Sequence, residues 1–218
     1  MSSSLTVVIS AAGLGSRLGL NRPKALVEVG GKPIIAHQLE LLQDVAEVVV
    51  VVGFRAESVI SLVKKLRPDA IIAFNHDYRN SGTALSVSLA GKISADWVVS
   101  LDGDLLIEKQ SLDSIIEHPT ACLGLSSVVS QSPVYAQVNK KNKVISLFQS
   151  NDMTSSYEWT GIVKIPSKSA IQLGRKHVYQ GLLNILPMDW LPVDTVEIDE
   201  PDDLINATHW LEYKANNL

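Results

Sequence analysis

Over its first half the chain alternates apolar runs with segments of helical spacing, and that alternation leaves few folds open. LTVVISAA, AEVVVVVG, DAIIAFN and ADWVVSLDGD are near-continuous apolar runs, as expected of strands buried on both faces. Between them lie PIIAHQLELLQ, AESVISLVKKL and TALSVSLAGKI. In the second of these, Val59, Ile60, Leu62, Val63 and Leu66 fall on one broad helical face. The series β-α-β-α-β-α-β predicts an α/β fold: a three-layer α-β-α arrangement around a mostly parallel sheet.

The second half reads differently. CLGLSSVV, VYAQVNKKNKVISLF and YEWTGIVKI are short alternating strands, with KKNK as a hairpin turn. They predict a small antiparallel extension over about 120–165, making the sheet mixed. VDTVEID returns as a strand, and EPDDLINATHWLEYKA closes the chain as a helix whose first turn holds Pro201, Asp202 and Asp203. No repeat or linker interrupts residues 1–218, so a single domain is expected.

Composition narrows the partners. A net charge of -4 supplies no global field for nucleic acid or an anionic membrane, so any anion must be held by a local cluster. The single cysteine, Cys122, sits in the apolar stretch TACLGL, which rules out an internal disulfide framework and favours a core residue over a nucleophile. MSSSL lacks the features of a secretion signal, and a cytoplasmic protein is expected.

The first strand runs into AAGLGSRLGLNRPKAL, residues 11–26. A dinucleotide fingerprint fails there, because Leu18 stands where a third glycine belongs and the second strand ends in Gly53-Phe54-Arg55 without an acidic residue. A Walker loop fails too, since Gly31-Lys32 is followed by Pro33. What remains is a loop whose backbone N–H groups can approach phosphates, with Arg17 and Lys24 as fixed cations.

AAGLGSRL followed by RPKALVEVGGKPII resembles the signature of the sugar-phosphate nucleotidyltransferase superfamily: Gly-x-Gly-x-Arg, then Pro-Lys, then Gly-Lys-Pro. The resemblance implies a Rossmann-like sheet of the nucleotide-diphospho-sugar transferase type. It also implies a nucleoside triphosphate over Ala11, Ala12, Gly13, Leu14, Gly15 and Ser16, with Arg17 and Lys24 as the catalytic cations. Arg17 can fork two phosphate oxygens and Lys24 can serve the α-phosphate as a point charge. The attacking oxygen is already ionised, so no general base is needed and none stands out. Lys32 reads equally as a loop neighbour or a solvated turn residue.

Nucleotidyl transfer of this kind calls for magnesium, which takes carboxylates, waters and phosphate oxygens. Asp102 and Asp104 leave a buried strand at its carboxyl edge, where open parallel sheets place ligands. By the resemblance Asp104 is a metal ligand, and Asp102 a neighbour on the acceptor side. VEIDEPDDL is similar to the family's closing Glu-Ile-Asp motif, making Asp199 a second ligand with Glu197 completing the set; Glu197 and Asp199, two apart, face one side of a strand. Asp199 also reads as a helix cap, a role compatible with the first.

Ser81-Gly82-Thr83-Ala84 is similar to a Gly-Thr-Ala element that contacts a pyrimidine ring; capping alone would also account for Ser81 or Thr83. YEWTGIVKI resembles the family's acceptor strand, implying that Glu158 meets a cationic or hydroxylated acceptor and that Trp159 stacks on an ammonium, a core tryptophan being the other reading. Tyr157, Trp190 and Asp194 join that pocket by chain order alone, and His76 carries no assignment.

The short form is most similar to cytidylyltransferases acting on phosphocholine, 2-aminoethylphosphonate or inositol phosphate. The expectation is therefore a magnesium-dependent transfer from CTP to a small phosphate or phosphonate acceptor with release of pyrophosphate. The alternatives are a sugar 1-phosphate acceptor with UTP, dTTP or GTP, a glycosyltransferase of related fold, and a nucleotide-binding subunit without turnover. A homodimer pairing through 120–165 is a further expectation.

Overall fold

The computed structural model of the chain describes residues 4–15, 18–19, 21–150 and 155–216. Strand β1 (Leu5–Ala11) leads into the glycine loop, a single 3-10 turn (Lys24–Leu26) and a two-residue ribbon of β2 (Glu28–Val29) and β3 (Lys32–Pro33). Helix α1 (Ile34–Leu41) starts directly after Pro33, whose fixed φ suits a helix entry. Then follow β4 (Glu47–Val52), α2 (Ala56–Leu66), β5 (Ile71–Phe74), α3 (Thr83–Gly91) and β6 (Trp97–Asp102), matching the alternation in the sequence. β7 (Leu105–Ile107) and α4 (Lys109–Glu117) come next. β8 (Cys122–Ser127), β9 (Tyr135–Val138), β10 (Val144–Phe148) and β11 (Tyr157–Pro166) form the antiparallel part. Two five-residue helices, α5 (Ser167–Ile171) and α6 (Val178–Leu182), precede β12 (Asp189–Pro192), β13 (Thr195–Glu197) and the closing α7 (Pro201–Asn216).

The main sheet has the order β10-β9-β11-β6-β1-β4-β5, with β8 joined to β11 and β12 to β8. β6, β1, β4 and β5 run parallel, while β11 lies antiparallel on β6. The fold is thus the mixed, mostly parallel α/β sheet that the alternation predicts, with an antiparallel wing. The KKNK segment makes the β9–β10 turn, where Asn142 takes a positive φ of 57°. VEID returns as a strand, β13, which pairs with β7 in a ribbon apart from the main sheet. One sequence reading needs correction. Thr83 is no cap: it is the first residue of α3, and Gly82 holds the cap position without a side-chain bond.

Alternation along the buried strands sorts the core into layers. Val7, Ile9, Val50 and Leu101 pack beneath Ile35 and Leu39 of α1, Val59 and Val63 of α2, and Leu112 and Ile115 of α4. Val8, Val49, Val51 and Val98 face Ala84, Val87 and Ala90 of α3, with Ala170 of α5 and Leu182 of α6. Cys122 lies in the first layer, where burial above all pushes its thiol up to about 12, so it acts as a small hydrophobe.

A third cluster positions the site. Leu18, Val27, Val29, Ile34, Leu106, Ile198 and Ala207 pack together, with Trp210 and Leu211 of α7 against them. Its members flank Lys24, follow Asp104 and separate Glu197 from Asp199. Burying these side chains therefore draws three segments, distant in sequence, to one corner of the sheet edge.

Candidate active site

The glycine loop is fixed at its base by both neighbouring strand ends. The N–H of Phe54 donates to the carbonyl of Ala12 at 3.1 Å, and the N–H of Gly103 to that of Ser10 at 3.1 Å. A Cβ on Gly103 would stand 2.5 Å from the Ser10 oxygen, so only glycine permits this approach. Gly15 has a φ of +63° and lies against the stem of Lys24, whose Cγ would be 3.0 Å from an added Cβ. Ser16 and Arg17 lie outside the described residues.

Lys24 projects from the 3-10 turn to Asp104, with Nζ 2.9 Å from Oδ2, and to Asp199, with which it also bonds. Burial disfavours its charge, but the two carboxylates outweigh that and hold its pKa well above the ordinary lysine range. Asp104, Glu197 and Asp199 each bring a carboxylate oxygen within 4.8 Å of the others. Asp104 Oδ1 is buried and has no hydrogen-bond partner among the described residues. Three carboxylates drawn together, with a buried Asp104 oxygen left without a partner among the described residues, fit a hard divalent cation such as magnesium.

Charge crowds this corner. The Asp102 carboxyl is pushed well above the carboxylate range by burial first and then by Asp104 and Glu197. Glu197 remains open to solvent, yet the protein mass around it, then Asp104 and Asp199, push its carboxyl up to about 8. Asp102 Oδ1 is likewise buried without a partner among the described residues. Its Oδ2 lies 2.8 Å from where a Cβ would stand on Gly161, which has a φ of +81°. The Gly-Ile pair of β11 is thus a close approach of that strand to Asp102.

One residue that the sequence reading passed over organises the Asp-Gly-Asp turn. Gln38 of α1 is 1% exposed, and its Nε2 donates to the carbonyls of Asp102 and Leu105, both at 2.8 Å. A lone polar residue inside the apolar face of PIIAHQLELLQ was the available signal. Asp203 also does more than complement a dipole: its Oδ2 accepts the N–H groups of Asp199 and Glu200, both at 2.8 Å. It thereby orients Asp199 ahead of α7.

The acceptor side departs from expectation. Glu158 is 3% exposed, and its Oε1 accepts the N–H groups of Val129 at 3.0 Å and Ser130 at 3.2 Å, tying down the loop after β8, while its charge also reaches Glu197. Trp159 donates from Nε1 to the Ile162 carbonyl at 3.1 Å and packs against the second core layer, the core reading of that residue. Tyr157 tilts over Trp190 at 4.8 Å between ring centroids, and Trp190 Nε1 donates to Asn142. Asp194 leaves the pocket altogether, because its Oδ1 accepts from Trp210 Nε1 at 2.7 Å and it pairs with Lys214. Lys32 pairs with Glu40 in a solvated turn. Gly82 is pressed against the main chain of Lys176, whose oxygen would be 2.2 Å from an added Cβ. Ser81 Oγ donates to the Asp77 carbonyl at 2.8 Å.

Comparison with known proteins places this geometry. The sequence profile of the MobA-like NTP transferase domain matches residues 7–138, more than half of the chain. Bifunctional protein GlmU of Paracoccus denitrificans is 33% identical over 138 residues, 62% of this chain and 31% of that one. CMP-5'-(3-aminopropyl)phosphonate synthase of Streptomyces rubellomurinus is 37% identical over 134 residues, 58% of this chain and 21% of that one. The chain thus spans between a fifth and a third of the length of these two relatives. Among solved structures, CTP:phosphocholine cytidylyltransferase from Streptococcus pneumoniae superposes with a TM-score of 0.77 at 20% identity, covering 95% of this chain and 99% of that one. The inositol-1-phosphate CTP transferase from T. maritima gives 0.77 at 18% identity, covering 95% and 97%. No helix among the described residues is long and apolar enough to cross a membrane.

Proposed function

Because the chain belongs to the MobA-like NTP transferase domain family, we propose that it transfers a nucleoside monophosphate from a triphosphate, CTP by preference, to a small phosphate or phosphonate acceptor. The observation that carries this reading is the convergence of Lys24, Asp104 and Asp199 behind a glycine loop. CTP as donor and a phosphate or phosphonate as acceptor are supported by the names of the phosphonate synthase relative and of the two cytidylyltransferase neighbours.

In the proposed step an ionised acceptor oxygen attacks the α-phosphorus. One phosphorus–oxygen bond forms, the bond from the α-phosphorus to the bridging oxygen breaks, and its electron pair leaves with pyrophosphate. No proton has to be removed from the nucleophile. The backbone at Ala12–Gly15 holds the phosphates, and Lys24 offsets charge on the α-phosphate and the leaving group. Asp104, Asp199 and Glu197 would hold magnesium, which supplies charge neutralisation between the two anions that must meet. Gln38 and Asp203 keep the carboxylate-bearing turns in place. Asp102 stands beside Gly161 and faces the acceptor side.

The similarity to bifunctional GlmU favours a second reading, in which the acceptor is a sugar 1-phosphate and the nucleotide UTP, dTTP or GTP. The experiment that tests both incubates the protein with magnesium, one of five nucleoside triphosphates and a panel of choline phosphate, aminoalkylphosphonates, inositol phosphate and hexose 1-phosphates, and measures pyrophosphate. Release that requires CTP and a phosphonate or alkyl phosphate supports the first reading. Release that requires a hexose 1-phosphate replaces it with the second. No acceptor-dependent release with any pair rejects both.

A further inference from the structure

A basic depression of about 350 Å³ lies between the start of α3 and the start of α6. Arg79, Arg175, Lys176 and His177 line it together with Ser81 and Gly82. Among the described residues, the carboxylate that pairs with the cations Arg79, Arg175 and Lys176 is Asp77, bonded to Arg175. The chain as a whole carries a net charge of -4, so this concentration of basic groups runs against the global field. Holding these cations side by side is unfavourable by mutual repulsion, and an anion among them relieves it.

The walls are built, not incidental. The N–H of Gly82 donates to the Arg175 carbonyl at 2.8 Å, and the N–H of Ala84 to the Lys176 carbonyl at 3.1 Å. With the Lys176 oxygen 2.2 Å from any Cβ at Gly82, only glycine lets the two walls meet. Ser81 Oγ is held by Asn75 Nδ2 at 3.1 Å and by the Asp77 carbonyl. The basic side chains therefore project from main chain that is already locked together. A row of rings leads away from them: His177 stacks on Tyr179 at 5.9 Å, and Tyr179 lies 6.4 Å from Trp159. Trp159 stands two residues before Gly161, which touches Asp102.

We propose that this depression binds a small oxyanion: a phosphate, phosphonate or carboxylate group of a small molecule. Two sources share that chemistry, the end of the acceptor remote from its attacking oxygen and a separate free anion. The binding claim stands apart from the nucleotidyl-transfer reading, and only the choice between the two sources rests on it.

Calorimetric titration of phosphonoacetate into magnesium-free protein tests the claim, with Arg175→Gln/Lys176→Gln, Arg79→Gln and Asp104→Asn as variants. These basic side chains lie outside the main-chain bonds that join the walls, and thermal melting checks that each variant is folded. The expected result is binding that weakens with salt, falls about tenfold or more in the double variant and measurably in Arg79→Gln, and is unaffected by Asp104→Asn. No binding by wild-type protein of phosphonoacetate, inorganic phosphate or pyrophosphate overturns the proposal. So does equal affinity in the basic variants, or a loss confined to Asp104→Asn, which would put the anion at the carboxylate corner. Turnover then separates the sources. A raised acceptor KM in the double variant with the nucleotide KM unchanged identifies the acceptor's own end; both KM values unchanged alongside lost phosphonoacetate binding identifies a separate anion.

Discussion

At the reaction corner, Asp102, Asp104, Glu197 and Asp199 crowd around the single ammonium of Lys24, and two of their oxygens are buried without a partner among the described residues. Along β11, by contrast, the carboxylate of Glu158 is as deeply buried but satisfied by two N–H groups of its own chain, and the Trp159 indole is satisfied by Ile162. Both regions carry the residue types of a binding site. Only the first leaves polar capacity unspent, and unspent buried capacity is costly unless an outside partner takes it up. The difference separates chemistry from scaffold.

The largest effect belongs to the crowded side. Lys24→Ala is expected to lower turnover by about 10²–10³-fold, the scale for loss of one donor to transition-state charge. Pyrophosphate release checks it, and near-normal turnover rejects the role. Next comes Gln38→Leu, which frees the Asp102–Leu105 turn from α1. Manganese affinity in the presence of CTP is expected to fall about 10–100-fold while the melting curve stays cooperative. A weaker melt with metal affinity unchanged would make Gln38 structural only.

Glu158→Ala sharpens the contrast from the other side. It strands the N–H groups of Val129 and Ser130, so stability should drop by about 1–3 kcal/mol in denaturant titration. Turnover at saturating CTP should remain within a few-fold. A large rise in acceptor KM with stability intact would return Glu158 to the acceptor site.

The smallest effect concerns pH. Glu197 has a folded-state pKa raised from 4.5 to about 8, so the native state of the chelated protein binds the proton more tightly than the unfolded chain. Its contribution is complete below about 4.5 and is lost as pH rises through about 8. The melting temperature of chelated protein should therefore decline across that window, less steeply in Glu197→Gln. An identical slope in both would remove Glu197 from the crowded set.

Much of this arrangement was legible in local patterns. Apolar runs and helical spacing set the parallel sheet, and residues at strand ends, such as Asp104 after β6, go where strand ends go. Asp199 was legible because its place follows from a short ribbon and a helix start. Glu158, Asp194 and Gln38 were not, for one physical reason. Each is decided by a partner far along the chain or outside its own element: a loop N–H for Glu158, Trp210 for Asp194, and the carbonyls at the end of β6 and the start of β7 for Gln38. Spacing shows which face a residue takes and is silent on what meets it there. Thr83 failed for a smaller reason, since the cap position fell one residue earlier, on Gly82.

The central claim is that Asp104, Glu197 and Asp199 form a cation site that works with a bound triphosphate. Manganese uptake followed by electron paramagnetic resonance, with CTP present, tests it most directly. Wild-type protein should bind the ion together with CTP, and Asp104→Asn should lose that uptake while still melting cooperatively. Uptake by Asp104→Asn equal to that of the wild type would contradict the account.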